Sequence, residues 1–329
     1  MSAGDFSRLR PASPDADGAP FAPVVHIGAA CLDIKGIAAT AELQAGTSNP
    51  GRVRFSFGGT ARNIAENLAR LDVPARLLTA VGDDGEGRLI VAHTRAAGVA
   101  VEDAGLLVTE CAGTSAYLAL LRADGRRIAG VDDTRAVRAI TPRVIHRWHH
   151  LIRDASLVVA DANLRPQSLR AVVALCRRYG IALCLDPVSA ALTGRIAPFL
   201  ADTLLITPNM LEAEILSGRP VTTREEALAA ARALQERGPA VVVVTMAHGG
   251  AVYASADASG HVPAVKTEIV DATGAGDALT AGVLFGLLND FPLDDAIALG
   301  AAMASLTMQS SETVRSDLTL EQVYQDIKL

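Results

Sequence analysis

Asp271-Ala-Thr-Gly-Ala-Gly-Asp277 runs straight into an apolar segment over residues 278–288, and that join decides how the rest of the chain is read. Gly274, Ala275 and Gly276 let the backbone turn sharply and leave N–H groups uncovered at a helix start, where the helix dipole favours an anion. Asp277 follows at once. A carboxylate is ill suited to holding phosphate but well suited to taking a proton from a hydroxyl that attacks phosphorus. The pairing points to phosphoryl transfer, with Asp277 as base and the N–H groups of Gly274, Ala275 and Gly276 on the developing negative charge. The competing reading is a Gly-Ala-Gly strand end with Asp277 as an ordinary helix cap.

The surrounding chain has the composition of a soluble globular protein. Its 329 residues are 50% hydrophobic and 20% charged, enough for one large core or two ordinary ones. A net charge of -6 supplies no basic field, which argues against a nucleic-acid polymer as partner and for a small ligand. Cys31, Cys111, Cys176 and Cys184 lack zinc-type spacing and read as reduced thiols. No apolar run is long and uninterrupted enough to span a membrane, and residues 1–22 read as a disordered tail rather than a signal peptide. The expected location is the cytoplasm.

Short apolar runs at Val24–Ile27, 75–81, 157–160, 181–185, 203–206 and Val241–Thr245 alternate with helical periodicity, as over 61–71, 224–237 and 278–288. Such alternation predicts an α/β fold, a mostly parallel sheet with helices on both faces. Two regions break the rhythm, about 34–57 and 112–131, the second with Asp124-Gly125 as a hairpin turn. Strand-like insertions of this kind suit a lid that keeps water from a transferred phosphoryl group. The remainder, 23–329, reads as one domain.

Four ordered motifs resemble the PfkB (ribokinase-like) family of carbohydrate and nucleoside kinases over nearly the whole chain after residue 23. They are Gly58-Gly-Thr-Ala-Arg-Asn63, Asp186-Pro-Val-Ser189, Pro208-Asn-Met-Leu-Glu-Ala-Glu214 and Asp271 to Asp277. Within the family, Ser48-Asn-Pro-Gly51, Thr114-Ser115 with Tyr117, and Asp186 to Ala190 look most like the pseudouridine kinase branch. The resemblance implies a ribokinase-like three-layer α/β/α sandwich with a small β lid, and transfer from ATP, with Mg2+, to the 5'-hydroxyl of a nucleoside. Other readings are a PfkB kinase for a different sugar or nucleoside, and a non-catalytic nucleoside sensor.

The resemblance also sorts the polar residues. Asp33, just beyond the first strand, reads alone as a turn residue and within the family as a holder of ribose hydroxyls. Gly58 and Gly59 allow close approach to a sugar, and the Asn63 amide suits vicinal hydroxyls. Arg62 reads either as an exposed helix residue or as one near phosphate or base. Asn209 and Glu212, spaced i, i+3, share a helix face and are expected to organise phosphate and Mg2+ through water, with Asp186 as a further water-linked group. Thr245, Ala247 and Gly250 belong to the nucleotide loop, where Ala247 replaces a glycine and would be strained if the backbone needs a positive φ. His248 reads as an exposed loop residue. Asp271 and Thr273 resemble monovalent-cation ligands, so K+ activation is expected. Thr114, Ser115, Asp132 and Asn163 are candidates for reading the base, and a homodimer is the expected assembly.

Missing signals narrow the chemistry. The chain lacks the G-x-x-x-x-G-K-[ST] loop of P-loop kinases and the His-Arg-Asp and Asp-Phe-Gly pair of protein kinases. The turn after the first strand, Gly28-Ala-Ala-Cys-Leu-Asp33, has one glycine where a dinucleotide-binding oxidoreductase needs three.

Overall fold

Apolar runs too short for helices become the parallel strands of a central sheet, and the longer amphipathic stretches wrap both its faces. The computed structural model describes residues 22–40, 43–123 and 127–327. The expected tail over 1–22, apart from Ala22, and the expected turn at Asp124-Gly125 lie outside the described residues. In chain order the elements are β1 (Val24–Ile27), β2 (Cys31–Ala38), β3 (Gly51–Gly58), α1 (Thr60–Ala69), β4 (Ala75–Gly82), α2 (Gly85–Ala96), β5 (Leu106–Thr109), β6 (Ala116–Leu121) and β7 (Arg127–Asp133). There follow α3 (Pro142–Arg147), α4 (His149–Arg153), β8 (Leu157–Asp161), α5 (Pro166–Tyr179), β9 (Ala182–Asp186), β10 (Leu205–Ile206), α6 (Met210–Ser217) and α7 (Arg224–Gln235). The chain closes with β11 (Val241–Thr245), β12 (Ala251–Ser255), β13 (Ser259–Val262), α8 (Ala275–Leu288), α9 (Leu293–Met308) and α10 (Leu320–Ile327).

Among the described residues the central sheet runs β13-β12-β11-β10-β9-β8-β1-β4-β5, parallel except for β12 and β13 at one edge. Strand residues alternate between two cores. Val25 and Ile27, Val158 and Ala160, and Val242 and Val244 pack toward α3 to α7. Val24, Val159, Val241 and Val243 pack toward α1, α8, α9 and α10 on the other face. The result is the three-layer α/β/α arrangement expected from the sequence. No described helix is long and apolar enough to cross a membrane.

The chain leaves β1 toward β4 on one side and returns through β8 on the other, so the crevice at the strands' carboxyl ends opens there. Directly after β1 it departs into a second sheet, ordered β3-β2-β6-β7. Its β2–β3 and β6–β7 pairs are antiparallel and β2–β6 is parallel. Side chains on this small sheet follow the two-residue period of strands. Asp33, Lys35 and Ile37 of β2 and Tyr117, Ala119 and Leu121 of β6 face the crevice. Phe55, Leu118 and Val131 face solvent.

Asp161, the last residue of β8, fixes the junction between the two sheets. Its fully buried carboxylate accepts Ala29 N at 2.8 Å, Ala61 N at 3.2 Å and Asn163 N at 3.0 Å. One side chain thereby holds the β1–β2 link, the start of α1 and the loop after β8. Removing it strands three buried N–H donors, and each orphaned donor costs about 1–3 kcal/mol. Asp161→Ala is therefore expected to lower unfolding free energy by roughly 3 kcal/mol or more, measured from urea transitions. A midpoint equal to that of the wild type would show the three contacts to be dispensable.

Candidate active site

α8 begins at Ala275, three residues earlier than the apolar pattern alone suggests, which brings Asp277 into the first helical turn. Its N-cap, Gly274, has φ +85°, and a Cβ there would run into the Thr313 carbonyl, so only glycine can make this turn. Ala275 N donates to Ala272 O at 3.3 Å, which leaves the N–H groups of Gly274 and Gly276 as the turn's donors for an anion. The Asp277 carboxylate makes no capping bond to the helix start. It accepts Asn63 Nδ2 at 2.6 Å instead. The competing reading of Asp277 as a helix cap therefore fails.

The Asp277 carboxylate is held by a chain of buried polar groups on α1. Arg62 donates to Asn63 Oδ1, to Glu66 and to the carbonyls of Gly58 and Phe57, the last two at 2.9 and 2.5 Å. Arg62 is 1% exposed, so it is neither an outward helix residue nor open to phosphate. Its role is to fix the rotamer of Asn63, whose amide then donates to Asp277. Burial pushes the Asp277 carboxyl up, the Asn63 hydrogen bond opposes this, and the nearby Asp33 charge adds to it, for a value of about 7. A base with that value is matched to neutral solution.

Two cavities flank the 271–277 loop. One, of about 410 Å3, is lined mainly by apolar groups including Met210, Met246, Val265, Leu279 and Met308, together with Asn209, Thr245, Ala247, Gly250, Ala275 and Gly276. An apolar slot bordered by an anion turn suits a planar base joined to phosphates. The second, of about 810 Å3, lies between the small sheet and the strand ends and holds Asp33, Gly59, Asn63, Asp132, Asn163, Asp271, Thr273 and Asp277. Ala272 belongs to both walls.

The remaining expected residues divide. Asp33 is a residue of β2 itself, its carboxylate accepting the Cys31 thiol and the Thr313 hydroxyl, each at 3.2 Å. Burial pushes its carboxyl above the ordinary value. Gly58 makes room for that carboxylate, since a Cβ would overlap it, and does not line the cavity. Thr114 and Ser115 are corrected: neither lines the cleft. Thr114 is bound to Asp84, the N-cap of α2, through its N–H at 2.7 Å and its hydroxyl. Ser115 is fully buried. Asp132 lies at the exposed rim, opposite Tyr117 in register. His248 is exposed, as expected.

The water-linked metal set is also rearranged. Asn209 and Glu212 bond to each other as a capping box, Glu212 N to Asn209 Oδ1 at 3.0 Å and Asn209 N to Glu212 Oε2 at 2.9 Å. Their spacing thus serves the start of α6. Asp186 accepts Val188 N at 2.8 Å, where Ser189 N to Pro187 O at 2.7 Å and a φ of +65° at Val188 mark a strained γ-turn on the cavity wall. Burial pushes the Asp186 carboxyl well up, and the Asp277, Glu212 and Asp161 charges push it further. No three described His, Cys, Asp or Glu side chains converge as direct metal ligands. A cation near these carboxylates would be held through water, the habit of Mg2+.

Sequence reasoning missed Asp161, Lys35 and Thr313. Lys35 Nζ meets Asp271 Oδ2 at 2.6 Å, while Asp271 Oδ1 accepts Thr273 N at 2.9 Å and Thr273 Oγ1 at 2.7 Å. Burial disfavours the charged carboxylate of Asp271, but Lys35 and Thr273 outweigh it and hold its carboxyl below the ordinary value.

The family model described as pfkB family carbohydrate kinase matches residues 22–320. The chain belongs to the PfkB carbohydrate kinase family. It is 32% identical to the pseudouridine kinase of Escherichia coli K12 over 91% of this chain and 95% of that one. It is 30% identical to the guanosine-inosine kinase of Exiguobacterium acetylicum, covering 88% of this chain and 95% of the relative. The ribokinase of Arabidopsis thaliana, solved with ribose and ATP, shares the fold at a TM-score of 0.78, with 21% identity and 94% and 99% of the chains covered. PfkB kinases phosphorylate small sugars or nucleosides with ATP, and this chain is such a kinase.

Three expectations follow for a PfkB kinase with this geometry. Because Asp277 must be deprotonated to accept a proton, kcat/KM should fall about tenfold per pH unit below a limb near 7. Asn63→Ala removes the donor that opposes the rise, so the limb should move to higher pH; an unmoved limb would separate Asn63 from the base. Ala247 has φ +49°, the strain foreseen from the sequence. Ala247→Gly should raise thermal stability by about 0.5–1 kcal/mol, read by calorimetry together with KM for ATP.

Proposed function

We propose that the chain transfers the γ-phosphoryl group of ATP to the 5'-hydroxyl of pseudouridine. The observation that carries the reading is the position of Asp277, a base of near-neutral pKa held by Asn63 where the two cavities meet. ATP occupies the apolar cavity with its phosphates on the Gly274 and Gly276 N–H groups. Asp33 and Asn63 hold the ribose hydroxyls and turn the 5'-oxygen toward Asp277. Asp277 takes the hydroxyl proton as the oxygen attacks phosphorus, and the α8 terminus stabilises the charge gathered on the transferred oxygens. The small sheet serves as a lid that excludes water. Asp186 and Glu212 would hold Mg2+ through water, and the ion would supply the positive charge that offsets the ATP oxygens.

Pseudouridine is favoured for three reasons. The larger cavity exceeds what a pentose alone fills. Asp132 and Asn163 offer acceptors for the free N1–H that distinguishes this C-nucleoside from uridine. The similarity to the Escherichia coli enzyme spans nearly the full length of both chains. A purine nucleoside is the second reading, supported by the similarity to the guanosine-inosine kinase.

The test is magnesium-dependent ADP release with pseudouridine, uridine, inosine, guanosine, adenosine, ribose and fructose. Pseudouridine is expected to give the highest kcat/KM. Preference for another substrate would discard the base assignment and leave Asp277 in place. Asp277→Asn should cut kcat by about 10^2-fold or more with little change in nucleoside binding, and near-wild-type turnover would overturn its role. Asp33→Ala should instead act mainly on KM.

A further inference from the structure

Asp271 stands three residues before the anion turn, on a loop whose neighbouring N–H groups must receive phosphate. An uncompensated carboxylate there would repel the transferred group. The family resemblance calls for a mobile monovalent cation at this point, but the groups present do not fit one. Oδ1 of Asp271 is taken by the Thr273 N–H and hydroxyl, and Oδ2 by the Lys35 ammonium at 2.6 Å. The Lys35 side chain is 4% exposed and that of Asp271 17%. A potassium ion arriving on the same carboxylate would stand beside a positive charge already in place.

We propose that Lys35 is a tethered replacement for the monovalent cation: its ammonium neutralises Asp271 and sets the 271–277 loop, which makes the enzyme independent of K+. The source of the charge is structurally distinctive. Lys35 lies on β2 of the small sheet, two residues from Asp33 and on the same inward face. The ion pair therefore joins the strand carrying a proposed sugar-binding carboxylate to the loop carrying the catalytic base. Thr313 makes a parallel link, with its hydroxyl on Asp33 and Ser56 and its carbonyl against Gly274. An ordinary buried ion pair would stabilise this closure in the same way. Cation dependence distinguishes the two roles.

The experiment compares wild type, Lys35→Met and Lys35→Ala in buffers containing K+, NH4+, Na+ or tetramethylammonium at equal ionic strength. Initial rates are measured with the best substrate, and melting temperature in the same salts. Wild type should vary less than about twofold among the salts. The variants should lose about tenfold or more of kcat in tetramethylammonium and regain a saturable part of it with K+ or NH4+. Their melting temperatures should rise with K+ while that of wild type stays level. The proposal is overturned if wild type loses most of its rate without K+. Folded variants indifferent to every cation, whether active or inactive, also overturn it. Should neither variant fold, the salt response of the wild type alone decides. The inference rests on the kinase reading only for its rate assay; the melting series stands without it, so failure of the proposed substrate does not obscure the result.

Discussion

The Asp161 carboxylate is the constraint on which the site's geometry depends. It gathers N–H groups from Ala29, Ala61 and Asn163, which belong to three separate stretches of chain. Ala29 lies in the three-residue link between the central sheet and β2, so the small sheet leaves the core from a fixed point. Ala61 is the second residue of α1 and is followed by Arg62 and Asn63. The orientation of the amide that holds the Asp277 carboxylate is thus set at the end of β8, through the start of α1. Burying a carboxylate is costly, and burial pushes the carboxyl of Asp161 above its ordinary value. Three donors offset that cost and make the position specific to Asp.

Around this anchor the cleft concentrates negative charge. Asp33, Asp161, Asp186, Glu212 and Asp277 all have carboxyls displaced upward, with loss of hydration as the leading cause. The buried cations nearby are already engaged, Arg62 by Glu66 and Asn63 and Lys35 by Asp271. The arrangement keeps one carboxylate basic enough to accept a proton near neutrality. It also leaves a field that favours a hydrated divalent cation arriving with a polyphosphate.

Much of the fold was legible because it rests on short-range patterns. β1 and β11 coincide with their apolar runs, and the three-layer sandwich follows from strands and helices in alternation. The anion turn was legible for the same reason, since small residues before an apolar helix have few other uses. The site's support was not. Asp161 meets groups 132 and 100 residues away, and Lys35 meets a partner 236 residues away, separations that no periodicity records. Lys35 shares the face of Asp33 by the two-residue strand period, a signal that was available, though it does not reveal the partner. A local role stands beside the functional one at Glu212, whose spacing from Asn209 is also that of a capping box, and replaces it at Thr114, claimed by the cap of α2. Ala247 ran the other way: an alanine in a loop position where relatives carry glycine marks a candidate positive φ from residue type alone, and its φ is +49°.

The shared wall between the two cavities has a consequence for inhibitor chemistry. Ala272 borders both, with Gly276 on one side and Asp277 on the other, so the partition is one turn of backbone thick. On the proposed assignment of the two cavities, a compound that joins an adenine nucleoside to the acceptor nucleoside through a short oligophosphate would occupy both chambers at once. Its second half would bind at the high effective concentration set by the first, provided the bridge has the length of the in-line reaction path. Bridge length would then act as a ruler for the distance between donor and acceptor oxygens across this turn.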